Sequence, residues 1–103
     1  MTDKPFTVKF RSNHAQQTVE FTGNLIINHI EEILQKVKKK IDSSKTLCVK
    51  ITEPENIDLT FIQMVISLQK TWQKNGHDIT IETTIKEDIK LILNNSGFNL
   101  FLN

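Results

Sequence analysis

Between Leu47 and Ile81 the hydrophobic period changes from two to 3.6 and back to two. That double change restricts the fold more than any other feature of the chain. Leu47, Val49 and Ile51 alternate within Lys-Thr-Leu-Cys-Val-Lys-Ile. Ile62, Val65, Ile66, Gln69 and Trp72 then recur at helical spacing, in a stripe widened by Phe61, Met64 and Leu68, and Ile79 and Ile81 alternate again. Asp58 is a good N-cap for a helix running to about Lys74, and Asn75-Gly76 is a stop signal. Strand, helix and strand in that order predict a parallel βαβ unit with a right-handed crossover.

The remaining segments extend this unit. Phe6, Val8 and Phe10 alternate with Thr7, Lys9 and Arg11, and Val19 and Phe21 alternate inside Gln-Thr-Val-Glu-Phe, which Gly23 closes. Two strands around the polar turn Ser-Asn-His-Ala-Gln predict an antiparallel hairpin. Ile30, Ile33, Leu34, Val37 and Ile41 form one apolar stripe, predicting a helix over residues 28–41. Asn28 and Glu31 have the spacing of a capping box, with Glu31 and Glu32 placed in the first turn and Lys36, Lys38, Lys39 and Lys40 at the other end, as the helix dipole favours. A last helix is expected from Thr84, where Thr84 and Glu87 make a second capping box ahead of Ile85, Ile89, Ile92 and Leu93. The expectation is an α/β fold in a single domain over residues 1–103. Its order is β-β-α-β-α-β-α, with a four-stranded mixed sheet and three main helices packed on one face.

Composition excludes several classes of function. One hundred and three residues make one core. Thirteen basic against twelve acidic residues remove the electrostatic basis for nonspecific nucleic-acid binding, and the lysines near residue 40 read as a solvated helix end before they read as a patch for an anionic partner. No apolar run approaches the roughly 20 residues that span a bilayer, and the first ten residues have no apolar signal core. The lone cysteine, Cys48, fits a reducing compartment. A cytoplasmic protein is therefore expected, with nothing that requires more than a monomer.

The sequence carries few marks of catalytic or metal chemistry. His14, His29 and His77 fall in turns or at helix ends with no metal-ligand spacing, the three glycines are too far apart for a phosphate loop, and no serine sits in a nucleophile elbow. Cys48 has neither a histidine nor a helix start beside it in the sequence, so burial in a strand accounts for it. Glu53, Glu55 and Asp58 raise the question of a magnesium site, but the first two strands end without a second acidic cluster. No enzyme, metal or cofactor is expected. The junction around Asp58 stands out for another reason. It leaves the carboxyl end of a parallel strand, where open α/β sheets bind ligands, and it opens a helix whose N-terminus favours negative charge. Thr60 offers a hydroxyl there for phosphorylation, with the glutamates opposing the added charge.

These stretches together resemble the STAS domain family of anti-sigma factor antagonists and sulfate transporters. Val-Glu-Phe-Thr-Gly-Asn-Leu and the helix after it look like the family's strand, Gly-x-Leu turn and first helix. Residues 46–68 look like its central strand, acidic loop and Asp-Ser-Ser-Gly-type helix start. Residues 74–82 look like its glycine turn and next strand, and Ile-Lys-Leu-Ile-Leu-Asn-Asn-Ser-Gly-Phe like its closing segment. The resemblance implies a non-catalytic module that docks a protein partner and is switched by phosphorylation beside the helix-start aspartate. Asp58 matches that aspartate, Leu59 stands at the usual acceptor position, Thr60 matches the adjacent hydroxyl, and Phe61 replaces the glycine. Gln63 and Met64 are closer to STAS proteins of chemotaxis and two-component systems. The implied contact residues are Glu55, Asn56, Asp58, Leu59, Thr60 and Phe61, with Thr60 as the acceptor. The implied partner is an anti-sigma-type kinase or a chemotaxis protein. The alternative is a constitutive accessory role on a lipid-transport ABC ATPase.

Overall fold

The computed structural model describes residues 5–84 and Glu87. β1 (Phe6–Ser12) and β2 (Gln16–Leu25) form the expected antiparallel hairpin, from Phe6 opposite Gly23 to Ser12 opposite Gln17. The Asn13 side-chain oxygen fixes the turn by accepting from the Ala15 and Gln16 N–H groups at 3.0 and 2.9 Å. After α1 (Ile27–Lys40), β3 (Thr46–Thr52) lies parallel to β2. β4 (Asn56–Ile57) and α2 (Leu59–Lys74) follow, and β5 (Ile79–Thr84) lies parallel to β3. The sheet order is β1-β2-β3-β5.

Four strands were expected, and the sheet has five. β4, read from the sequence as loop, pairs in parallel with the last two residues of β2, Asn24 opposite Asn56 and Leu25 opposite Ile57. This is possible because β2 does not stop at Gly23. It runs through Gly23 at φ +94°, where a Cβ would lie 2.6 Å from the Pro5 carbonyl oxygen and 2.7 Å from the Phe6 Cα. Only glycine tolerates both that dihedral and that contact. β5 extends two residues beyond the predicted strand, so Thr84 ends a strand. The helix expected after it falls outside the described residues, apart from Glu87.

The two faces of the sheet differ sharply. Val19 and Phe21 of β2 and Leu47, Val49 and Ile51 of β3 are buried against Ile33 and Val37 of α1 and Phe61, Ile62, Val65 and Trp72 of α2. Two polar side chains tie loops to this core. Gln17 donates to the Asp42 carbonyl and accepts from the Asp42 N–H, and the Trp72 indole N–H donates to the Lys45 carbonyl at 2.8 Å. The alternate residues of the same strands, including Lys9, Arg11, Thr18, Glu20, Lys50 and Glu82, form a polar face.

Candidate functional site at the paired helix starts

The chain between β3 and α2 crosses the end of β2 and is pinned to it. Glu53 adopts a left-handed conformation (φ 39°), Pro54 is buried, and the Glu55 N–H donates to the Gly23 carbonyl at 2.8 Å. The Asn56 side-chain amide donates to the Asn24 side-chain oxygen at 2.6 Å, and the Asp58 N–H donates to the Leu25 carbonyl at 3.1 Å. The pairing of β4 with β2 thus carries Asp58 to the point where α1 begins.

At that point one carboxylate serves two helices. Asp58 is the N-cap of α2, as its position in the sequence predicts: its Oδ1 accepts from the Phe61 N–H at 3.2 Å. Its Oδ2 accepts from the Ile27 N–H at 2.7 Å, the first residue of α1. α1 has no side-chain cap of its own. Its N-cap residue is Ile26, in extended conformation, and the predicted Asn28–Glu31 box is not formed, because the helix starts one residue early and Asn28 lies inside it. The same shift leaves the first turn of α1 without the acidic residues expected there. The N-terminal ends of both helix dipoles therefore face the Asp58 carboxylate.

Around this junction lies an apolar surface. The large apolar side chains left exposed among the described residues are Ile27 (61%) and Leu59 (47%), each the first residue of a helix held by Asp58. Between α1 and α2 an open groove of about 270 Å³ is walled by Ile30, Leu34, Met64 and Leu68, and Thr60 lines it. Glu55 and Asn56 are exposed on the approach to α2. Phe61 keeps its place in the apolar stripe of α2 and departs from the contact role that the resemblance implies. It is fully buried, edge-to-face with Phe21 at 5.1 Å between ring centroids, so its side chain contributes to the core and not to a contact surface. Two residues along a helix is about 200° of rotation, so Leu59 outward places Phe61 inward.

Other reactive groups lie elsewhere. Cys48 is buried on the opposite face of β3, its thiol donating to Glu82 at 3.1 Å, and burial pushes its pKa up, away from the thiolate a nucleophile requires. His29 packs against Phe6, and no group of three potential metal ligands occurs among the described residues. No helix among them is long and apolar enough to cross a membrane.

In shape the domain is similar to the crystal structure of an antisigma-factor antagonist STAS domain from Rhodobacter sphaeroides. The TM-score is 0.59 over 79% of this chain and 89% of that one, at 11% sequence identity. The domain is STAS-like. No family model matches its sequence, and no curated protein matches it. In this STAS-like domain Asp58 opens α2 as the sequence resemblance requires, while Leu59, at the position implied for the acceptor, is exposed and carries no hydroxyl.

Proposed function

We propose that this STAS-like domain is a non-catalytic regulatory module that docks a signalling partner, of the anti-sigma kinase or chemotaxis kind, through loop 53–58 and the start of α2. The supporting observation is the placement of Ile27 and Leu59. Two exposed aliphatic side chains are held next to one carboxylate, beside a groove with further apolar walls. Fixing them on helix starts limits the ordering cost of association. Glu55 and Asn56 form a polar rim to this surface.

Thr60 is the position at which docking would be switched. A phosphoryl group there adds about −1.5 to −2 charges. It would enter a groove walled by Ile30, Leu34, Met64 and Leu68, two residues from a carboxylate that already occupies both helix N-termini. Charge at that place opposes apolar docking. A second reading, a constitutive accessory subunit of a lipid-transport ATPase, is favoured by Leu59, an apolar contact that no kinase can modify.

Affinity purification from the native cell with wild-type, Leu59→Asp and Thr60→Glu baits tests the assignment. Docking at the helix starts requires that the wild-type partner be lost with Leu59→Asp, at an unchanged unfolding midpoint. Loss with Thr60→Glu as well supports the switch, and retention supports the constitutive reading. A partner recovered equally by wild type and Leu59→Asp places the interface elsewhere.

A further inference from the structure

The polar face of the sheet carries one full row of charges. Lys9 lies opposite Glu20, Glu20 opposite Lys50, and Lys50 opposite Glu82, so the signs alternate across all four long strands. That row alone is neutral and accounts for itself as cross-strand pairing. Arg11 departs from it: the residue opposite is Thr18, not a carboxylate. Lys9, Arg11 and Lys50 therefore surround Glu20 and the Thr18 hydroxyl in a single cleft of about 70 Å³. Glu20 is held on one side by the Thr52 hydroxyl, which donates to its Oε2 at 2.8 Å.

From this geometry we infer a binding site for a phosphomonoester with a small polar body, on the face of the sheet opposite the helices. Three cations and one carboxylate line the cleft, and Glu82 beside Lys50 brings the local balance to one positive charge, the sign that a phosphomonoester of roughly −1.5 to −2 charges requires. The guanidinium of Arg11 supplies the forked donor geometry that a tetrahedral oxyanion accepts, and Lys9 and Lys50 act as point charges beside it. Arg11 and Thr18 are also walls of an adjoining trough of about 300 Å³ completed by Ser12, Asn13 and Gln16. Because the Asn13 side-chain oxygen is committed to the turn, its NH2 group is what that side chain offers a ligand. Hydroxyls and amides suit a polyol and give an acyl chain no wall. No aromatic residue lines either cleft, so a nucleobase finds nothing to stack on.

The test is a titration of the full chain, followed by backbone amide chemical shifts, with glycerol 3-phosphate, inorganic phosphate and glycerol. Saturable shifts centred on Lys9, Arg11, Thr18 and Lys50, stronger for glycerol 3-phosphate than for phosphate and absent for glycerol, are expected. Arg11→Gln, an exposed substitution, should weaken binding about tenfold or more through loss of its charge-assisted bonds, and Lys38→Gln on α1 should leave it unchanged. Shifts that do not saturate, that centre on Lys38–Lys40, or that survive Arg11→Gln would overturn the site. Equal affinity for inorganic phosphate would overturn the role of the trough. Retention on phosphatidic-acid vesicles would overturn the choice of a polar body over a lipid.

Discussion

The two helices begin a hydrogen bond apart and are capped by opposite strategies. α2 is capped locally, by the residue immediately before it, and the cap is legible in Asp-Leu-Thr. α1 is capped by a residue 31 positions away, and the side chains near its own start play no part. A cap is only an acceptor at the right distance from an orphan N–H. The chain supplies that acceptor from wherever the fold delivers one. In this domain the delivery depends on the two-residue pairing of β4 with β2, which sets Asp58 beside Ile27.

Three substitutions put this comparison to the test, and urea unfolding of the full chain reads all of them. Asp58→Ala should have the largest effect, about 2 kcal/mol, because two caps are lost where one is typically worth about 1 kcal/mol. A loss of only half that would mean that the bond to Ile27 contributes little. Asp58→Asn keeps one acceptor oxygen and should cost about 1 kcal/mol, with the amide NH2 facing one of the two backbone donors. A cost equal to that of Asp58→Ala would show that the charge between the helix dipoles matters more than the count of acceptors. Asn28→Ala should have the smallest effect, within about 0.5 kcal/mol of wild type, since Asn28 is exposed inside α1 and caps nothing. A loss near 1 kcal/mol would instead support the local capping box.

The same contrast describes how far the sequence could be read. β1, β2, β3 and β5 were legible because each buries one face and carries that requirement as period two, and both helices were legible from their stripes. β4 was not, since two residues have no period and Asn56–Ile57 pairs only because Gly23 lets β2 continue. At the candidate site, Asp58 and Thr60 stand out from the order of residues alone, while Leu59 enters through the resemblance to the STAS family. Ile27 was missed for want of any local signal: its exposure results from α1 starting one residue early, on an acceptor from elsewhere. Phe61 was placed on the contact surface by analogy with a motif position, and the core claims it.

By itself the sequence determined the alternation of periods that makes an α/β domain, the start of α2 at Asp58, and the place of Phe61 in the apolar stripe of α2. All of these depend on neighbours within a few residues. Only the tertiary structure decided which N–H the second Asp58 oxygen would take, that Ile27 and Leu59 would flank one carboxylate, and that Lys9, Arg11 and Lys50 would share a cleft. Those are contacts between residues up to 41 positions apart, set by strand register and by the packing of α1 against α2, which no local pattern encodes.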